Sequence, residues 1–180
     1  VGGLARAGTR CRDLRGPGAL ARENGRLVLI GEASIPAALQ EALQARLDRL
    51  DADTRDLITT AAVIGRSFGL PLLERLLPGP RVLPTLSELQ WLQLVVEERS
   101  GAAPEYRFRH GLVRDVAYGT LVESRRRELH VRVGEALVDL HRDSPAEVYG
   151  LLAHHFAEAD EPERAVEYLV KAGDAARAVY

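Results

Sequence analysis

The sequence predicts a mainly α-helical chain with one β-hairpin in its middle. Two observations support this prediction. Apolar residues recur at helical spacing from residue 35 to residue 92 and again from residue 112 onward, as they do in helices that bury one face. Between these regions, over 94–109, apolar and polar residues alternate with the period of a strand.

The composition is that of a soluble globular protein with room for one or two domains. The chain has 180 residues, of which 46% are hydrophobic and 28% charged, and its net charge is -2. No stretch approaches the ~18 uninterrupted apolar residues that span a bilayer, and the first residues lack the apolar block of a signal peptide. We therefore expect a cytoplasmic protein without membrane contact, and the single Cys11 fits a reducing compartment. The absence of methionine indicates an internal piece of a longer protein.

Lysine is almost absent, which excludes one kind of nucleotide site. A P-loop places a lysine between a glycine and a serine or threonine, so that the lysine ammonium contacts the phosphates. The only lysine, Lys171, follows Val170. We expect no catalytic residue in this chain and no cofactor held by it alone.

The first predicted elements are a loop, a strand and a helix. Residues 1–33 are interpreted as the end of an upstream domain, with 1–26 as loop because glycines interrupt any apolar period. A strand is predicted at Leu27-Val28-Leu29-Ile30. A helix then begins near Ile35, with Pro36 in its first turn and an inward stripe of Leu39, Leu43, Leu47 and Leu50.

Three further helices precede the alternating region. The first has Asp53 as its N-cap, ends at Gly65, and carries the stripe Leu57, Ile58, Ala61 and Ile64. A short helix is predicted over 71–77, before Pro78-Gly79-Pro80. The next runs over 83–92, with Leu86, Leu89 and Leu92 facing inward.

The alternating region predicts a hairpin with strands at 94–99 and 106–109 and a longer loop at 100–104. Helices followed by such a hairpin form a winged helix, which we place at 34–122. The chain beyond it is predicted to be helical, with an interruption at Asp143-Ser144-Pro145.

The last segment, 123–180, is interpreted as a helical linker and one repeat of the tetratricopeptide (TPR) type. The turn of the repeat is Asp160-Glu161-Pro162, and small residues let its two helices approach while large ones fill the gaps beside them. One repeat cannot bury its outer face, so we expect further repeats after Tyr180. The residues at the repeat's packing positions are Tyr149, Leu152, Ala153, Phe156, Ala165, Leu169 and Ala172.

Several runs together carry a family resemblance over about 27–178. They are Ala45-Arg46-Leu47-Asp48-Arg49-Leu50, Ala61-Ala62-Val63-Ile64-Gly65-Arg66, Tyr106-Arg107-Phe108-Arg109-His110-Gly111-Leu112-Val113-Arg114-Asp115-Val116-Ala117-Tyr118, Arg126-Arg127-Glu128-Leu129-His130 and Leu152-Ala153-His154-His155-Phe156. The chain resembles the region after the ATPase core in bacterial STAND signalling ATPases. These include large LuxR-type regulators and class III adenylate or guanylate cyclases with an ATPase and repeat module.

The resemblance implies a fold, partners and one site residue. It implies that 1–33 end the lid of an ATPase domain, that the parent protein binds ATP or ADP with Mg, and that the winged helix packs on the ATPase domain. It also implies that His110 contacts the β-phosphate of ADP, as the histidine of the family's Met-His-Asp motif does. Here Phe108 stands on the methionine side of that motif and Gly111 takes the place of its aspartate.

The residues themselves give a second argument about His110. Strand alternation places Tyr106, Phe108 and His110 on one face and Arg107 and Arg109 on the other. A histidine there can donate to a phosphate oxygen. The alternative is a core or capping histidine bonded to the backbone.

Other candidate sites are weaker. His154, His155 and Glu158 lie close in sequence but lack a third suitable metal ligand, so we expect no metal and predict one histidine buried and the other exposed. The basic run Arg125-Arg126-Arg127 with Arg132 is interspersed with glutamates and is interpreted as a solvated helix face. Trp91 is expected in the core.

The sequence and the family resemblance leave two alternative functions. The first is a non-catalytic regulatory segment, in which a winged helix closes a nucleotide switch and the TPR-like repeat binds a small inducer or a partner protein. The alternative is a DNA-binding winged helix that reads the major groove with its 83–92 helix. The absence of Arg and Lys over 84–96 argues against direct DNA binding.

Overall fold

A computed structural model describes residues 19–23, 26–30, 37–98 and 103–179. The predictions for Cys11, Pro36, the loop at 100–102 and the end of the first strand at Arg99 lie outside these residues. The chain divides into two units, Val1–Gln40 and Glu41–Tyr180. The described part is mainly helical, which confirms the predicted fold class at that level.

The first unit contains an antiparallel hairpin. Strand β1, Ala19–Glu23, pairs with β2, Arg26–Ile30, with Ala19 opposite Ile30 and Glu23 opposite Arg26. The predicted strand is therefore confirmed within β2, whereas the interpretation of 1–26 as loop is wrong for β1. β1 contains two alanines, one arginine and one glutamate and so has little intrinsic β signal; its pairing with β2 determines it.

The first two helices are α1, Ala37–Leu47, and α2, Ala52–Ile64. Leu47 and Leu50 are buried, but Leu39 is 50% exposed, so its predicted inward position is wrong.

The N-cap of α2 is Asp51, not Asp53 as predicted: its carboxylate accepts the Thr54 N–H at 3.0 Å. Hydrogen bonds from Thr54 lower the pKa of Asp51 from its usual value.

Gly65 ends α2, as predicted, and its conformation requires glycine. Its φ is 151° and its N–H donates to the Ala61 carbonyl. We expect Gly65→Ala to lower the free energy of unfolding by about 1–3 kcal/mol, because a Cβ is strained at this φ. Urea unfolding measures the change. Gly173→Ala, with no atom within 4 Å of its added Cβ, is the control and should stabilise by about 0.5–1 kcal/mol; equal effects of the two substitutions would contradict the assignment.

A three-stranded antiparallel sheet packs beside two short helices. The chain runs through β3, Ser67–Gly69, α3, Leu70–Leu76, α4, Val82–Trp91, β4, Val95–Glu98, and β5, Glu105–Phe108. The predicted hairpin is β4–β5, and β3, which the sequence did not predict, pairs with the free edge of β5 to give the order β3-β5-β4. Phe68 of β3 packs against Tyr106 and Phe108. These rings belong to a first apolar core, which the sheet shares with α2 and α4.

The remaining chain is helical. It consists of α5, Gly111–Gly119, α6, Glu123–Leu140, a 3-10 turn, Pro145–Val148, α7, Tyr149–Glu158, and α8, Pro162–Val179. A second core joins α6 and α7 to Val63 of α2 and to Leu72 and Leu76 of α3. The sheet-containing part and the helical part therefore share apolar contacts, and the boundary placed at 122 and 123 stays a prediction.

The predicted repeat residues divide into buried and exposed ones. Leu152, Ala153, Phe156 and Ala165 are buried, and Tyr149 and Ala172 are half-buried. Leu169 is 58% exposed, so its predicted packing role is wrong. The helix phase of α8 instead turns Tyr168 inward, where its ring stacks on Phe156 with centroids 5.5 Å apart.

Among the described helices, none has both the length and the apolar character needed to cross a membrane.

Candidate functional site

His110 lies on the surface where β5 turns into α5. It is the N-cap residue of α5 with an extended backbone, and its carbonyl accepts the Val113 N–H at 3.0 Å. The alternation upstream is as predicted, with Tyr106 and Phe108 buried and Arg107 exposed. Unlike Tyr106 and Phe108, the imidazole is exposed, so the alternative of a core histidine is wrong. His110 occupies the N-cap position, but its side chain makes no capping hydrogen bond.

Arg66 lies beside the same helix start. Its guanidinium Nη2 is 3.8 Å from the position that a Cβ would take on Gly111. Its carbonyl accepts the Phe108 N–H at 3.0 Å, which fixes the backbone of Arg66 against β5. The N-terminus of a helix carries partial positive charge and free N–H groups. His110, Arg66 and this helix end together form a surface that can bind a phosphate group, which we call the His110 surface.

A second polar cluster is buried between α5, α6 and α7. The Tyr118 hydroxyl is 3.0 Å from Nε2 of His130, and Nδ1 of His130 is 2.9 Å from Nδ1 of His155. Both histidines are 1% exposed. Such a hydrogen bond between two ring nitrogens needs one donor and one acceptor, so the two rings cannot both carry two protons while the bond exists.

The surroundings of this buried pair keep both rings neutral. Burial lowers the pKa of His130 to about 4, although the charge of Glu158 acts in the opposite direction. Burial, followed by the neighbouring His130 and His154, lowers the pKa of His155 to about 3. Burial and the charge of Glu158 raise the pKa of Tyr118.

The remaining candidates have structural surroundings. His155 is buried and His154 exposed, as predicted, and no group of three or more possible metal ligands occurs in the described ranges. The basic run of α6 forms ion pairs: Arg125 with Glu128 at 2.7 Å, and Arg127 with Glu123. The prediction of a paired helix face is confirmed for these two arginines.

Trp91 is 81% exposed, so its expected place in the core is wrong. It is the last residue of α4, and the inward positions of that helix are taken by Leu86 and Leu89. Leu83, eight residues earlier and 50% exposed, lies on the same helix face. The exposed face of α4 is therefore apolar at both ends.

No protein-family model, curated protein or solved structure matches this chain. Evidence for a function therefore comes from the element order and from the His110 surface. The sequence predicted His110 but did not single out Arg66 or the contact between His130 and His155, since each depends on the meeting of distant segments.

Proposed function

We propose that this chain is a non-catalytic regulatory segment of a STAND signalling ATPase in the cytoplasm. In this proposal 34–122 form a winged helix that closes a nucleotide switch. The element order supports it: β3 lies between α2 and α3, two short helices follow, and the β4–β5 hairpin completes the sheet. Residues 123–180 then provide a helical linker and the first TPR-like repeat.

The observation that carries the proposal is the exposure of His110 beside Arg66 at the start of α5. Two cationic or hydrogen-bonding side chains next to a helix N-terminus suit an anion that another domain presents. The β-phosphate of ADP, held with Mg by the ATPase domain, is such an anion. ADP bound there would hold the closed state, and exchange for ATP would release it.

The repeat segment provides the second half of the proposed switch. Val166, Leu169 and Val170 leave an apolar stripe exposed on α8, at the spacing of one helix face. Such a stripe suits a small inducer or a protein partner. Binding there would shift the population toward the open state only if the partner preferred that state.

Removing the phosphate contact should speed ADP release. In the protein that joins the ATPase domain to this chain, we expect His110→Ala and Arg66→Ala each to release ADP about tenfold faster, because a hydrogen bond to a charged group is lost. Stopped-flow release of a fluorescent ADP measures this rate. Arg107→Ala is the control, since Arg107 is also exposed but is paired with Glu98. Unchanged release in both site variants would contradict the proposal.

Direct DNA binding is the alternative, and the surface of α4 argues against it. This helix contains no Arg or Lys and exposes Leu83, Glu88 and Trp91, whereas DNA readers place cations against phosphates. A mobility-shift assay with random duplex DNA at low salt should show no complex. A tight, salt-sensitive complex would favour the alternative.

A further inference from the structure

Helices α7 and α8 pack on each other as one hairpin. The ring of Tyr168 in α8 stacks on Phe156 of α7, with centroids 5.5 Å apart, and its centroid is 6.1 Å from that of Tyr149 at the start of α7. Leu152, Phe156 and Ala165 are the buried residues of the hairpin in the second core, to which α2, α3 and α6 also contribute. The second core therefore joins the hairpin to the rest of the larger unit.

The first core does not include this hairpin. Its buried residues run from Leu47 in α1 to Ala117 in α5, and none of the described residues of α7 or α8 belongs to it. Separating the hairpin from α6 exposes part of the second core but leaves the contacts within the first core in place. A part of a protein that shares only one core with the remainder can open by itself, at a lower free energy than global unfolding.

A pair of buried histidines bonds the hairpin to α6. Nδ1 of His130 in α6 is 2.9 Å from Nδ1 of His155 in α7, and both residues are 1% exposed. This bond needs one nitrogen with a proton and one without. If both rings were charged, two N–H groups would point at each other and the bond would be lost. The contact between α6 and α7 therefore depends on the number of protons that the pair binds.

Charged and titratable groups of both signs surround this pair. They are Tyr118 and Arg114 of α5, Arg126 of α6, His154 and Glu158 of α7, and Glu105, His141 and Glu147, which line a groove together with His155. The charge of Glu158 favours a charged His130, but burial has a larger effect and lowers the pKa of His130 to about 4. Burial likewise lowers the pKa of His155 to about 3. Both rings are therefore neutral at pH 7 in the folded chain.

Two ion pairs on the surface also connect α6 with the hairpin. Arg127 lies 3.1 Å from Asp160, and Arg164 lies 3.8 Å from Glu135. The side chains of both pairs are more than a third exposed, so these pairs contribute little to the stability of the contact. Among the polar contacts between α6 and the hairpin in the described ranges, the histidine pair is the buried one.

We infer that the α7–α8 hairpin is an acid-sensitive element of this fold: when His130 and His155 both bind protons, the hairpin separates from α6 while the first core stays folded. Separation lets water reach both rings, so their charged forms no longer lose hydration. The open state then binds more protons than the closed state, and acid shifts the equilibrium toward it. This inference goes beyond the nucleotide switch and does not depend on it.

Hydrogen exchange of the 180-residue chain at pH 7 and at pH 5 tests whether the hairpin opens separately. Protection factors of the backbone amides, corrected for the intrinsic effect of pH on exchange, measure the free energy of opening. At both pH values we expect the amides of α7 and α8 to be at least about tenfold less protected than those of α2 and β5, because opening the hairpin leaves the first core folded. Equal protection of the two regions would overturn the inference.

The same measurements test the effect of acid. From pH 7 to pH 5 the protection factors of α7 and α8 should fall at least about 100-fold, because the open hairpin binds up to two more protons than the closed one. The amides of α2 and β5 should still be protected at pH 5. A smaller fall in α7 and α8, or loss of protection in the first core together with the hairpin, would overturn the inference.

Side chains that do not titrate test the part of the two histidines. In the double variant His130→Gln with His155→Gln, the two amides can still hydrogen-bond to each other but bind no proton, so the protection of α7 and α8 should change less than about fivefold between pH 7 and pH 5. His154→Gln, at the neighbouring exposed histidine, is the control and should keep the full fall. A folded double variant that keeps this fall would overturn the inference. If the double variant does not fold, the wild-type comparison of the two regions decides the question.

Discussion

Lowering the pH from about 7 to about 5 should cost about 4 kcal/mol of the free energy of unfolding. The reason is the buried pair His130 and His155, which is neutral in the folded chain. Burial lowers their pKa values from the usual 6.5 to about 4 for His130 and about 3 for His155. Unfolding exposes both rings to water, where each binds a proton near pH 6.5.

The direction in which the free energy of unfolding changes with pH follows from proton binding. Below about pH 6.5 the unfolded chain binds up to two more protons than the folded one, so stability falls with falling pH. The stabilisation by the two neutral rings is complete above about pH 6.5. It is lost progressively as the pH falls below 6.5, and the loss ends where the folded rings themselves titrate, at about 4 for His130 and about 3 for His155. Between pH 7 and pH 5 each ring contributes about 2 kcal/mol, a large part of the ~5–15 kcal/mol that a domain has.

Urea unfolding at a series of pH values measures this loss. We expect the free energy of unfolding to change between pH 6 and pH 5 with the slope of about two protons. Proton NMR of the two ring C–H signals provides the control, since neither ring should titrate in the folded chain above about pH 5. Titration of either ring near pH 6.5 while the chain is folded would contradict the prediction.

The elements predicted well are those whose signal is local. The end of α2 at Gly65 and the turn at Asp160-Glu161-Pro162 depend on neighbouring residues alone. The β4–β5 hairpin also joins consecutive segments. In each case the residues that form the element contain the pattern that predicts it.

The elements missed are those that distant contacts determine. β3 has only three residues, too few to show a period, and it forms because Phe68 pairs opposite Tyr106. The N-cap moved from Asp53 to Asp51 because both aspartates precede helical residues and only the geometry selects between them. Leu169 was assigned inward because a repeat template, not the actual phase of α8, placed it there.

The candidate sites follow the same rule. The family resemblance, together with its place at the end of the hairpin, points to His110, and its contact with a phosphate stays a prediction. Strand alternation alone groups His110 with Tyr106 and Phe108, which are buried, whereas His110 is exposed. The contact between His130 and His155 joins residues 25 positions apart and depends on how α6 and α7 are rotated about their axes. Single-sequence patterns contain no information on that rotation, so the pair appeared only as separate histidines in α6 and α7.

Phe156→Ala should lower the free energy of unfolding by about 3–5 kcal/mol. The ring is fully buried and occupies the space between α6, α7 and α8. It stacks on Tyr168, and the Arg164 guanidinium lies 3.7 Å from its centroid. Truncation therefore leaves a cavity and removes contacts from both partners. Urea unfolding of the variant is compared with Val166→Ala, a control at a 57% exposed position of α8, which should change stability by less than about 0.5 kcal/mol.

Gly134 explains why this ring fits, and it supplies a second variant that tests the same contact. A Cβ added to Gly134 would lie 2.7 Å from Cζ of Phe156, so Gly134→Ala should destabilise by about 1–3 kcal/mol through overpacking. In a Phe156→Leu background the ring edge is gone, and the same substitution should instead stabilise by up to about 1 kcal/mol through helix propensity. The change of sign is a coupling between two residues in contact. Additive effects in the double variant would show that the glycine does not allow the close approach of α6 and α7.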